Sequence, residues 1–452
     1  MPSLPLKYAA ANALDLSTLS ARITAVEARR QEAFELSRHL QVVVNVSKDH
    51  AGEMGAMESL RQTCHHVLLN ALEREPRLAN LSNRMEDIVR LESFQHFLET
   101  GTLVSLSELT RSYPTLTDEE YLAGAVMGST QELRRYGLGR ATVRDVASVR
   151  AAASLVTECQ NFLLQMDFRN GPLRRKYDGV KYSLQALETL LYELSITGAT
   201  LGDTSYAETS EAKRIKTETT TLIPTEELQG IKERMDHRDE LRESLIKKSR
   251  DGQKAAKQSI FALHRGDTKR TRDLMNECRD CIQKELMPIV REEPFLRTAG
   301  SFTGVLEEYV EARLFGAWLY GNTFFSDGTC NSKVSGVFLQ MEDFTEVALE
   351  PEEYLGGLCD LTGEIGRYAV QRGTARDKSA VELSLQGVSS VLSALQSLER
   401  CPVQKKLEAV RRTEEKLERM LYDMSLSEAA GGRIVPTTDS NHGEDDDGNQ
   451  ND

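Results

Sequence analysis

Apolar residues recur along most of this chain at intervals of three and four, the period of a helix that buries one face. Between Leu19 and Ile196 the pattern predicts helices over 21–44, 64–72, 81–98, 121–136, 143–166 and 173–194. Thr117, with Glu120 three residues on, reads as a capping box opening the fourth. Residues 197–222 lose the period and turn to Gly, Thr, Ser, Glu and Lys, the composition of a linker. The period returns at Pro224, with helices over 235–264, 269–284, 293–320, 351–372, 380–398 and 403–424. Both halves order their parts alike. Each has a Tyr-Leu-x-Gly helix (Tyr121–Gly124; Tyr354–Gly357), and each closes on a basic helix ending in Tyr-acid-hydrophobe-Ser (Tyr192–Ser195; Tyr422–Ser425). A period near 230 residues is far too long for a solenoid and fits two copies of one all-α domain.

Composition agrees. Aromatics are 6% of the 452 residues, and Ala, Leu, Glu and Arg abound, which argues against a β-sandwich. No apolar run approaches the roughly 18 residues of a membrane span, and the N-terminus lacks the apolar stretch of a secretory signal. Seven scattered cysteines suit a reducing compartment, hence a cytoplasmic location. Lys213-Arg-Ile-Lys216 is a weak candidate for a nuclear signal, with solvated linker charge as the plainer reading. Net charge is −14, but six acids crowd into residues 435–452 with no Lys or Arg, so local basic clusters say more than the sum. The organisation expected is an arm over 1–17, a domain over 18–200, a linker over 201–226, a second domain over 227–430 and a disordered acidic tail over 431–452.

Candidate chemistry centres on two helices. In Phe302-Thr-Gly-Val-Leu-Glu-Glu-Tyr-Val-Glu-Ala-Arg-Leu-Phe315 an apolar stripe runs through Phe302, Val305, Leu306, Tyr309 and Val310. Glu308 and Glu311 share a different face, and that face continues into Phe315, Trp318 and Leu319. The two carboxylates should therefore point into protein, where they need a cationic partner. In Tyr354–Tyr368, Asp360 and Glu364 form an i, i+4 pair flanked by Gly356, Gly357, Gly363 and Gly366. Four glycines cost a helix about 1 kcal/mol each, which a close approach of backbone or ligand would offset. Oxygen-only donors suit Mg²⁺ or Mn²⁺, and such a metal promotes attack on phosphate. On spacing alone the signal is weak, and solvated helix faces are the commoner reading of such pairs.

Cys278 and Cys281 form a CxxC without a second pair, so zinc is unsupported and surface or half-buried thiols are expected. Ser249, Asp251 and His264 lack the context of a hydrolase triad. Basic clusters at Arg174, Arg175, Lys176 and Lys181, at Arg238, Arg242, Lys247, Lys248 and Arg250, and at Lys405 and Lys406 could grip a single strand by charge, with Tyr177 and Tyr182 available for stacking. A solvated, ion-paired face accounts for them equally well.

These residues also carry a resemblance. Leu173-Arg-Arg-Lys-Tyr-Asp-Gly-Val-Lys-Tyr182, Leu191-Tyr-Glu-Leu-Ser-Ile196 and Ser93-Phe-Gln-His-Phe97 resemble translin. Lys257-Gln-Ser-Ile-Phe-Ala-Leu-His-Arg265, Leu306-Glu-Glu-Tyr-Val-Glu-Ala312 and Tyr354-Leu-x-Gly-x-x-Asp-Leu-Thr-Gly-Glu364 resemble translin-associated factor X, of the same family. The resemblance implies two α-helical bundle domains, binding of single-stranded RNA and DNA, and assembly as a homo-oligomer or with a separate translin-like chain. It also implies a Mg²⁺-dependent endoribonuclease active in small-RNA passenger-strand removal or transfer-RNA fragment trimming. In this sequence Glu308, Glu311 and Asp360 would be catalytic and would hold the metal, with Glu364 as a fourth ligand; Glu307 should point elsewhere. The first half places Asp87, Arg90 and Met127 where the second has Glu308, Glu311 and Asp360, so it should bind and assemble without catalysis. A non-catalytic single-strand-binding and assembly protein is the alternative.

Overall fold

The computed structural model describes residues 14–49, 62, 79–169, 171–198, 221–326, 328 and 334–429. The expected helix over 64–72, most of the expected arm and linker, and the acidic tail lie outside the described residues. Those described form helices and loops with no strand among them. None of their helices is long and apolar enough to cross a membrane.

The chain divides into two compact units: Ala25–Glu240, and the N-terminal residues up to Thr24 together with Leu241 onward. In the first unit α2 (Ala79–Thr100), α3 (Leu106–Ser112), α4 (Asp118–Tyr121), a π-helical stretch (Leu122–Gly128), α5 (Ser129–Thr142), α6 (Val146–Leu163) and α7 (Pro172–Ile196) follow in order. Ile88, Phe97, Tyr121, Val126, Leu133, Val156 and Leu187 are among its buried core. Helix α1 (Ser17–Asp49) adds Leu40 and Val44 to that core, and the start of α8 (Thr225–His264) adds Leu228 and Ile231. The capping box read at Thr117 and Glu120 is formed.

The second unit uses the rest of α8, then α9 (Thr268–Asp280), a π-helical stretch (Cys281–Leu286), α10 (Met287–Glu292), α11 (Gly300–Tyr320), α12 (Pro351–Thr374), α13 (Lys378–Gln396) and α14 (Gln404–Ala429). Its core is built on α11, which is buried on nearly every side from Phe302 to Leu319. Leu16, Leu19 and Ile23 join this core from the N-terminal segment.

The duplication holds residue by residue. The hydroxyl of Tyr121 donates to the Val104 carbonyl at 2.7 Å, and that of Tyr354 to the Leu339 carbonyl at 2.8 Å. Phe97 meets Tyr136 edge-on at 5.8 Å, as Trp318 meets Tyr368 at 5.2 Å. Asp145 and Asp377 each cap the next helix and each pair with an arginine, Arg140 and Arg372. The residues just before them, Arg144 and Arg376, take the same left-handed backbone, with φ of 60° and 59°.

Within the Tyr-Leu-x-Gly helix the register between copies shifts by one residue. Tyr121 and Tyr354 are 233 positions apart (354 − 121), whereas Tyr136 and Tyr368 are 232 apart (368 − 136). Between them the first unit has its π-helical stretch, while α12 is uninterrupted. One extra residue is thus absorbed inside the helix as a bulge, which is what a π-turn does.

Candidate active site

The site lies between α11 and α12, and glycines set the distance between them. A Cβ on Gly357 would fall 2.7 Å from the Glu307 carbonyl oxygen and 2.7 Å from Val310 Cβ. One on Gly356 would fall 2.6 Å from Glu307 Cδ. One on Gly366 would fall 2.8 Å from Thr413 Cγ2 of α14. Three of the four glycines therefore permit the close approach their cost implied. Gly363 has nothing within 4 Å.

This packing sets the carboxylates of α11 beside those of α12. Glu311 is only 9% exposed and, among the described residues, has no hydrogen-bond or ion-pair partner. Burial, followed by the charges of Glu308, Asp360 and Glu364, pushes its carboxyl up to about 8. Glu308 is half-buried and also raised, by burial first, although Lys257 Nζ stands 3.0 Å from its Oε1. Glu364 pairs with His264 and, at 3.7 Å, with Arg367. His264, whose ring packs 4.8 Å from that of Phe315, comes from α8 a hundred residues away, and no sequence pattern linked it to Glu364.

Asp360 is held differently. Lys406 of α14 donates to Asp360 at 2.6 Å and to Glu307 at 2.8 Å. Glu307 was expected to point elsewhere; instead it lies against Gly356 and joins the site through this lysine. The reason is the absence of side chains at Gly356 and Gly357, which lets the Glu307 side of α11 face α12. All four predicted acids are thus brought together electrostatically around Glu311. Among the described residues, however, no three His, Cys, Asp or Glu side chains stand close enough to hold a metal ion.

The first unit shows the same frame with other chemistry. A Cβ on Gly124 would fall 2.5 Å from the Glu86 carbonyl oxygen, so Glu86 matches Glu307, Asp87 matches Glu308 and Arg90 matches Glu311. Lys176 pairs with Glu86 as Lys406 pairs with Glu307. Past the bulge, Glu132 and Arg135 stand where Glu364 and Arg367 stand, again as an i, i+3 ion pair. Arg90 lies 2.8 Å from Asp87 and 3.4 Å from Glu132. Thr130 bonds the Met127 carbonyl as Thr362 bonds that of Cys359, so Gly128, not the expected Met127, stands at the Asp360 position, because the bulge shifts the register before it. A fixed guanidinium fills the place where the second unit gathers acid.

The basic candidates separate. Arg175, Arg242, Lys247, Arg250 and Lys405 are exposed. Lys181 lies over the exposed Tyr182 ring and Arg174 over Tyr177. Lys248 pairs with Glu285 and Arg238 with Glu119. Lys176 and Lys406 face carboxylates inside their units, so neither is the surface grip expected of them. Cys278 and Cys281 are both buried, not at the surface, and burial raises both thiols.

Comparison with known proteins adds the lineage. The Translin family model matches residues 18–198 and again 240–428. The chain belongs to the translin family. Translin from Gallus gallus is 29% identical over 123 residues, covering 25% of this chain and 53% of that protein. Translin from Homo sapiens is 28% identical, covering 25% and 54%. The chain spans about half the length of these translins. A translin-associated protein X homolog from Schizosaccharomyces pombe is 28% identical over 222 residues, covering 45% of this chain and 89% of that protein. Among solved structures, a complex of AfC3PO with duplex RNA is similar at a TM-score of 0.36 and 19% identity, covering 45% of this chain and 98% of that one. Apo-NeC3PO is similar at 0.35 and 20%, covering 45% and 99%.

Proposed function

We propose that this chain binds RNA and cleaves it with a divalent metal held by the second unit. The first copy, over 18–200, would serve binding and assembly, and the second, over 227–430, cleavage. The observation that carries this reading is Glu311: a buried, partnerless carboxyl ringed by three more acids, where the other copy has Arg90. The donor type suits Mg²⁺ or Mn²⁺, carboxylate oxygens alone, although as placed no three of these groups among the described residues stand close enough to hold the ion. Glu308, Glu311, Asp360 and Glu364 would hold the ion once Lys257, Lys406 and His264 release them and the acids draw together. When bound, the metal supplies Lewis acidity at a phosphate oxygen and makes water a nucleophile at neutral pH. The chain's part is to fix the acids on two helices kept close by Gly356 and Gly357, and to keep Glu311 dry. Exposed Arg175, Lys181 with Tyr182, and Lys405 would attract and stack a single strand.

A binding protein without catalysis is the second reading, and the lysines on Glu308 and Asp360 favour it. Cleavage of labelled single-stranded RNA decides between them, with Mg²⁺ or EDTA, for wild type and Asp360→Ala. Metal-dependent cutting by wild type alone supports the enzyme. Equal cutting by both, or by neither, removes the catalytic assignment.

A further inference from the structure

Lys406 is the one side chain of α14 that reaches both a frame residue and a site residue, and the two copies separate these roles. In the first unit Lys176 makes the tie to Glu86, and Gly128, which has no side chain, stands at the Asp360 position. The lysine–glutamate tie therefore belongs to the frame of both units, and the bond to Asp360 is an addition found in the second. The electrostatics follow. Burial lowers Lys176 below the usual lysine value. Burial acts on Lys406 in the same sense, but hydrogen bonds to Asp360 and Glu307 outweigh it and raise this lysine.

We infer that Lys406 is the built-in counter-ion of Asp360 and competes with a divalent cation for that carboxylate. This rests on the metal reading of the site given above. Lys406 keeps Asp360 neutralised in the metal-free protein. When a cation takes Asp360, the ammonium keeps Glu307 at 2.8 Å and the Gly356 carbonyl at 3.4 Å, so it is not left stranded. Release therefore costs only the loss of the Asp360 bond, and the lysine lowers metal affinity without closing the site. Lys257 on Glu308 is more exposed and has a smaller hold.

The test is binding of Mn²⁺ to the full chain, by electron paramagnetic resonance of the free ion, with Trp318 fluorescence reporting that the second unit is folded. Lys406→Met should bind roughly tenfold tighter than wild type, since one competing half-buried charge is gone. Lys405→Met removes the same charge from the exposed neighbouring position and should change affinity less than about twofold. Should Lys406→Met fail to fold, Lys406→Gln carries the same expectation. Wild-type binding that Lys406→Met leaves unchanged or weakens overturns the inference alone. An equal gain in Lys405→Met also overturns it, because net charge would then explain the effect. Absence of Mn²⁺ binding in wild type and both Lys406 variants sinks the metal reading, and the inference with it.

Discussion

Gly357 and Gly363 lie in one helix and should respond oppositely to alanine. At Gly363 the new methyl meets nothing within 4 Å, so only helix propensity acts. That favours Ala by about 1 kcal/mol. At Gly357 the same gain is set against a methyl 2.7 Å from both the Glu307 carbonyl oxygen and Val310 Cβ. Ordinary contacts there exceed 3.4 Å, so α11 and α12 must part by several tenths of an ångström. Overpacking of this kind costs about 1–3 kcal/mol, and a backbone atom cannot rotate away, so the upper end applies. Net loss for Gly357→Ala is then about 2 kcal/mol, against a gain of about 1 for Gly363→Ala. Trp318 is the chain's sole tryptophan and is buried in the second core, so its fluorescence follows unfolding of that unit alone. Melting should shift down by about 4–8 °C for Gly357→Ala and up by about 2–4 °C for Gly363→Ala. Shifts of the same sign, or a Gly357→Ala protein as stable as wild type, would refute the close-approach argument.

Other expectations concern charge. Glu311 holds its proton to about 8 when folded, against an ordinary 4.5, so its share of stability is complete below about 4.5 and is lost as pH rises through about 8. Metal-free Glu311→Gln should lack that loss and melt higher than wild type at pH 9, with little difference at pH 4.5, by Trp318 fluorescence. Arg90→Met removes the cation between Asp87 and Glu132, which keep Arg84 and Arg135, and should destabilise the first unit by about 1 kcal/mol. Far-UV circular dichroism should show an earlier transition while the Trp318 melt stays put. Removing Arg175, Lys181 and Lys405 together should weaken single-stranded RNA binding and flatten its dependence on log salt by about 2; an unchanged slope would mean that these cations do not meet phosphate.

Helical period and the paired Tyr-Leu-x-Gly and Tyr-acid-hydrophobe-Ser motifs were enough to read an all-α chain built twice, because both are local patterns. Burial of Glu311 was legible too, since Phe315, Trp318 and Leu319 prolong its face. Glu307 was not, because helix periodicity shows which residues share a side but not which side a neighbouring helix will press. Lys406 was misread for a related reason: a lysine at a helix start looks the same whether it meets water or two carboxylates from other helices. His264 reaches Glu364 only through tertiary packing. The glycines were right as a group and wrong singly, as Gly363 is open.

The bulge at Leu122–Gly128 bears on how the two copies may be compared or exchanged. An insertion is usually sought in a loop, and here it is hidden in a continuous helix. A gapless alignment carried on from Tyr121 would match Gln131, not Glu132, to Glu364. Anyone transplanting the acids of the second unit into the first must count forward from Tyr121 on one side of the bulge and backward from Tyr136 on the other. A graft made with one fixed offset would set its last carboxylate about 100° around the helix from the place intended.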